Sequence, residues 1–240
     1  MRKITNRSGH ITLAILLLGA ALQRAQSAEA VFLSANNEMH FAWFANNTVV
    51  KGDSTNHFSR RSAPNTNRPG VPYAFGIQAF QGKPMRIGDL VSISSNDTMH
   101  FAWFIQRVPK GDPEFFLWVC AGPSNAIGVT RDWYRSRLPS GVSPSDLLFI
   151  TSNNHMHFAW FRRGNELWVG RGSSDNLGKH DVKRSPLPSD VRVSDILFMA
   201  SNDDMHFAFL KNGTYIAGAS NDLDSMRRGV RYDLSRLRGR

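Results

Sequence analysis

The chain has 240 residues, 29 Lys and Arg against 19 Asp and Glu, 41% hydrophobic residues and a single cysteine. A chain of this length builds a sizeable core, and one cysteine excludes a disulfide scaffold, so the fold must close by strand pairing and packing alone. Four of the basic residues and none of the acids lie in residues 1–27, which leaves the remainder with 25 basic and 19 acidic residues, net +6. That balance is compatible with anionic partners.

Residues 1–27 read as a secretory signal. Arg2, Lys3 and Arg7 form a basic leader, and the apolar run Ile11–Leu22, twelve residues, is too short to span a bilayer. Cleavage after Ser27 is preferred over Ala30, because the second would remove the start of the first repeat. No later segment is long enough to cross a membrane as a helix, so a periplasmic or extracellular location is expected.

Residues 28–240 form one repeat domain, with units of roughly 28–85, 86–142, 143–191 and 192–240. The hexapeptide Met39-His40-Phe41-Ala42-Trp43-Phe44 recurs unchanged at Met99–Phe104 and Met156–Phe161. A fourth, altered copy is Met205-His206-Phe207-Ala208-Phe209-Leu210. Repetition at intervals of 60, 57 and 49 residues marks a repeat architecture. Each unit starts with an acid ten residues before the Met (Glu29, Asp89, Asp146, Asp195), then a short apolar run. An Asx turn follows: Asn36-Asn37, Asn96-Asp97, Asn153-Asn154, Asn202-Asp203. After the hexapeptide comes a hairpin, clearest at Lys211-Asn212-Gly213, where both turn residues tolerate positive φ. A third strand ends in a recurring glycine (Gly52, Gly122, Gly172, Gly218), with a serine two residues on (Ser54, Ser124, Ser174, Ser220). A basic stretch and a fourth strand close the unit, as at Val230–Leu234, and Leu-Pro-Ser-x-Val-x-x-Ser-Asp at 138–146 and 187–195 leads into the next.

Three to four short strands per unit of about fifty residues predict an all-β, four-repeat β-propeller. The alternatives are a β-sandwich of repeated hairpins, or a larger ring completed by dimerisation. Two insertions, 57–88 and 105–114, lengthen early units and are candidate binding loops.

The repeat histidines His40, His100, His157 and His206 are candidate metal ligands only if they converge. They share a strand face with Ala42 and Phe44 or their equivalents, which points to packing between blades. The repeat aromatics Trp43, Trp103, Trp160 and Phe209 read as core. The Asx turns offer too few charges for calcium, and turn use explains them. Cys120 reads as a buried apolar residue. The ligand-binding candidates are basic or aromatic: Arg61, Arg131, Arg227 and Arg228 beyond the repeat glycine, Lys183 and Arg184, Trp133, Tyr134 and Arg135 in a loop, and Trp118 and Trp168 on the third strand. No metalloprotease, serine-hydrolase, phosphate-loop or dithiol motif occurs, so a non-catalytic protein with no cofactor is expected.

The unit Ser-Asn-Asp-x-Met-His-Phe-Ala-Trp-Phe, a hairpin and Gly-x-Ser resembles repeats of secreted bacterial tandem-repeat β-propeller proteins, including lectins. The resemblance covers nearly all of 28–240 and implies multivalent, lectin-like, carbohydrate-binding activity. The loops differ between units, which favours one composite site over equivalent pockets. The expected partner is a glycan or another anionic polymer; the alternative is an interaction scaffold or inhibitor that docks an envelope or host protein through 57–80. Export and the lack of a nucleic-acid motif argue against nucleic acid.

Overall fold

The computed structural model describes residues 30–44, 48–52, 73–74, 90–107, 115–123, 127–128 and 133–219. Among them there is no α-helix, and no helix long and apolar enough to cross a membrane. The signal segment, most of the 57–88 insertion, the middle of the 105–114 insertion and the expected strand Val230–Leu234 lie outside the described residues.

Four antiparallel sheets follow one another, each with its strands in chain order. Blade 1 is β1 (Ala30–Ala35), β2 (His40–Phe44), β3 (Thr48–Gly52) and β4 (Tyr73–Ala74). Blade 2 is β5 (Leu90–Ser95), β6 (His100–Arg107), β7 (Phe115–Gly122) and β8 (Tyr134–Ser136). Blade 3 is β9 (Leu147–Ser152), β10 (His157–Arg163), β11 (Glu166–Gly172) and β12 (Val182–Arg184). Blade 4 has β13 (Ile196–Ser201), β14 (His206–Leu210) and β15 (Tyr215–Gly218) among the described residues. The first strands pack in a ring, each against the next, with β13 against β1. The protein is a four-bladed β-propeller whose ring closes within one chain.

The hexapeptide supplies the second strand of every blade. That strand is hydrogen-bonded on both edges and covered on both faces by neighbouring blades. Phe101 to Phe104, Phe158 to Phe161 and Phe207 to Leu210 are therefore all buried, which is why the run is nearly all apolar. The four hydrophobic clusters coincide with the four seams between blades. Phe41 and Trp43 meet Ile93 and Ala102, Trp103 meets Ile150 and Ala159, Trp160 meets Met199 and Ala208, and Phe209 meets Leu33 and Ala42. Cys120 is buried in the first of these, and burial pushes its thiol up to about 12, as fits an inert packing group.

Each first strand carries one extra residue against its partner, between Ala30 and Phe32, Leu90 and Ser92, Leu147 and Phe149, and Ile196 and Phe198. A β-bulge bends a strand and raises its twist. Repeated four times at one register, it shapes all four axial strands alike. The Asn212-Gly213 hairpin forms as expected: Gly213 has φ +79°, and Gly213 N–H donates to Leu210 O at 3.0 Å. Asp146 and Asp195 each hold a linker turn. Asp146 accepts from Ser143 Oγ (2.8 Å) and Asp195 from Arg192 N–H (2.9 Å), so each acid caps its own turn.

Candidate functional site

At one end of the axis the Asx turns meet. The first Asx of each pair shapes its own turn: Asn36, Asn96, Asn153 and Asn202 each accept, at Oδ1, the N–H groups two and three residues on. The second Asx builds a ring. Asn37 N–H donates to Asp97 Oδ1 (3.0 Å), Asp97 N–H to Asn154 Oδ1 (3.0 Å), Asn154 N–H to Asp203 Oδ1 (2.8 Å) and Asp203 N–H to Asn37 Oδ1 (2.9 Å). Both amide groups then donate to both carboxylates, at 2.5–2.9 Å. The alternation Asn, Asp, Asn, Asp matches two double donors to two acceptors. The Asn37 N–H first, then the Asn154 side chain, holds the Asp97 carboxyl below the usual range. For Asp203 burial pushes upward, and the Asn154 N–H with the two amide side chains outweighs it, leaving its carboxyl lowered as well. These hydrogen bonds occupy the turn residues with closing the ring.

The repeat histidines do not converge. Each stands in a different seam, its ring edge-on to the aromatic side chains of the preceding blade, as for His157 with Phe101 (4.7 Å) and Trp103 (5.0 Å). Three seams carry the same polar relay. Trp43 Nε1–H donates to Ser34, which bonds Ser95, which bonds His100 Nδ1. Trp103, Ser94, Ser152 and His157 repeat it, as do Trp160, Thr151, Ser201 and His206. His157 Nε2 also meets Ser174 Oγ at 3.0 Å, which gives the Gly-x-Ser serine a place in the blade. The fourth seam has Phe209, Ala200 and Ala35 at three of the four corresponding positions, while His40 keeps its place edge-on to Phe207 and Phe209. Burial pushes His157 down to about 4; burial, and then the charge of Arg171, pushes His206 down to about 3, so both are neutral packing groups.

The described ligand candidates lie on the outermost strands. Tyr134 and Arg135 belong to β8, and Lys183 and Arg184 to β12, rather than to loops. Cross-strand pairing sets Trp118 opposite Arg135 and Trp168 opposite Arg184. Trp133 is half-buried and stacks on Phe104 at 5.5 Å, which makes it a packing residue; Tyr134 is 47% exposed. Trp118 donates to Gln106 Oε1 and Trp168 to Glu166 Oε2, and Arg163 lies over the Trp168 ring at 4.8 Å. Arg61, Arg131, Arg227 and Arg228 lie outside the described residues.

Blades 2 and 3 differ in how they treat the outer-strand arginine. In blade 3, Arg184 Nε pairs with Glu166 Oε1 at 3.1 Å, and Lys183 and Arg171 both pair with Asp181. In blade 2 the guanidinium of Arg135 lies instead over the ring of Phe116, two residues along from its cross-strand partner Trp118, at 3.7 Å. No carboxylate among the described residues lies within 4 Å of Arg135 or Arg137. Asp175 feels Arg137 weakly and is bonded instead to Ser173 Oγ at 2.5 Å. Arg135 and Arg137 line an open cleft of about 460 Å³ with Phe116, Ser136, Pro139 and Val142. Ser136 is 6% exposed and its Oγ has no hydrogen-bond partner. A second cavity, of about 390 Å³ beside Lys211, is lined by Asp190 and Asp195, the latter already capping its turn.

Phe116, Ser136 and Arg137 escaped the sequence reading. The signal was present in the alignment of Arg135-Ser136-x-Leu138-Pro139-Ser140 with Arg184-Ser185-x-Leu187-Pro188-Ser189, which extends the shared linker motif upstream.

No protein-family model matches the chain, and no curated protein matches it significantly. Solved structures of repeat β-propeller type resemble it in shape. Prp20p from Saccharomyces cerevisiae is 15% identical over 80% of this chain and 44% of its own, with a TM-score of 0.34. The chain thus spans less than half the length of that protein. The computationally designed Ika4 protein is 8% identical over 81% of this chain and 92% of its own, with a TM-score of 0.29. BamB from Moraxella catarrhalis is 9% identical over 84% and 62%, with a TM-score of 0.27. Likeness at this level carries no functional argument, and the fold rests on the sheets and seams themselves.

Proposed function

We propose that this protein is an exported, non-catalytic binding protein that recognises a glycan or other anionic polymer along the outer edge of blade 2. The observation that supports this reading is the pair Arg135 and Arg137 at a cleft, with no ion-pair partner among the described residues, beside the exposed Tyr134. Guanidinium groups attract sulfate, phosphate or carboxylate groups through their planar N–H donors. An exposed aromatic ring one residue away offers a face for a sugar ring. Several such contacts along one chain of polymer add avidity without a deep pocket.

The test is a glycan and polyanion binding screen with the purified full chain, at low and high salt. Binding to acidic polysaccharides that weakens as salt rises is expected. Binding to no glycan or polyanion overturns the reading.

A further inference from the structure

Phe116 and Glu166 hold the same place in their blades. Each stands two residues before the third-strand tryptophan, Trp118 or Trp168, and each faces the arginine of the outermost strand. Their chemistry is opposite. The Glu166 carboxylate at 3.1 Å takes up the Arg184 charge. An aromatic face attracts a cation but accepts no conventional hydrogen bond, so the donor fork of Arg135 stays available to an outside acceptor.

The floor of the two places is alike. Ser136 Oγ and Ser185 Oγ are both buried and both without a hydrogen-bond partner, at 6% and 1% exposure. In blade 2 Ser136 is one of the residues along the cleft, with its hydroxyl on the buried side of the strand and Arg135 and Arg137 on the exposed side. Blade 3 keeps the hydroxyl beside an arginine already neutralised from within.

We propose that the blade 2 cleft is a subsite for one oxyanion group, a sulfate or phosphate ester or a carboxylate, and that Glu166 silences the equivalent place on blade 3. Arg135 and Arg137, both exposed on one face of the outer strand, supply the charge and the planar donors. The inference rests on the anionic-polymer reading for the identity of the natural ligand, and of blades 2 and 3 assigns that binding to blade 2. Blade 3 becomes a second subsite once its internal carboxylate is removed.

The experiment is a titration of the full chain, nitrogen-15 labelled, with sodium sulfate, sodium phosphate and sodium acetate, each against sodium chloride at matched ionic strength. The amides of Ser136, Arg137 and Ser185 are the reporters. A saturable shift at Ser136 and Arg137, absent at Ser185, is expected. The ion that gives it at the lowest concentration separates tetrahedral esters from carboxylates. Arg135→Gln weakens it by about tenfold, and Arg135 is exposed, so the variant keeps the fold. Glu166→Gln adds a second saturable response at Ser185; its failure to do so removes the silencing role of Glu166. No saturable shift at Ser136 with any of the three ions, or a shift undiminished in Arg135→Gln, overturns the subsite. Polymer binding that Arg135→Gln leaves intact keeps the polymer reading and sinks the subsite. Ion binding in the cleft with no polymer bound does the reverse.

Discussion

Asn37 and Asp203 lie 166 residues apart and hold each other twice. The Asn37 amide donates to Asp203 Oδ2 at 2.7 Å, and the Asp203 N–H donates to Asn37 Oδ1 at 2.9 Å. This is the polar clasp between the last blade and the first. Asn37→Asp puts a third carboxylate between Asp97 and Asp203 and removes a double donor. The variant should lose about 1–3 kcal/mol in urea unfolding, and part of the loss should be recovered at high salt. A variant as stable as the parent would show that the ring is ornamental to closure.

The fourth seam has Phe209, Ala200 and Ala35 where the other three have an indole and two hydroxyls. Phe209→Trp alone buries an indole N–H where the relay oxygen is missing, and should cost about 1–3 kcal/mol. Adding Ala200→Ser restores the acceptor that Trp43 and Trp103 have in Ser34 and Ser94, and should recover much of that loss. A denaturant double-mutant cycle with no coupling between the two positions would refute the relay as a unit.

Acid should weaken the fold in two stages. His157 and His206 are held neutral, at about 4 and about 3, whereas the unfolded chain takes up protons from about pH 6.5. Their contribution is complete above pH 6.5 and is lost as pH falls through the folded values, on the order of 3 kcal/mol for His157 alone. Asp97 and Asp203, whose carboxyls are lowered, contribute above the ordinary carboxylate range and lose that contribution only below it. Thermal unfolding between pH 7 and pH 3 should therefore show Tm falling from pH 6.5 downward. His157→Gln should flatten the upper part of that curve and leave the lower part.

The recurring glycine is a packing requirement in blade 3. A Cβ on Gly172 would stand 1.9 Å from Asn176 O, and one on Gly170 would stand 2.5 Å from Pro139 Cγ. Gly172→Ala forces the 173–178 turn away from the sheet and should cost about 1–3 kcal/mol. Gly164→Ala, at φ +60° with open space around it, should cost less, because it strains only its own turn. Equal losses at Gly164 and Gly172 would contradict the clash.

Much of the architecture could be read from local chemistry. The hexapeptide alternates faces at period two yet is apolar on both, which is the pattern of a strand covered on two sides. The Asx turns and the Asn212-Gly213 hairpin were legible because their geometry is set within four residues. The inter-blade role of His40 and its equivalents followed from their sharing a face with alanine. Trp133 lies outside the strands as expected, but its packing was not legible, because nothing near it in sequence announces Phe104, the ring it meets.

By itself, the sequence determined the number of repeats, the strand that each hexapeptide forms and the turn ahead of it, since these depend on neighbours along the chain. Tertiary structure decided what brings distant residues together. It turned Asn37, Asp97, Asn154 and Asp203 into one alternating ring, because only closure places them within hydrogen-bond reach. It also decided which partner each outer-strand arginine meets, a carboxylate for Arg184 in blade 3 and a phenyl ring for Arg135 in blade 2, because those side chains come from a different strand.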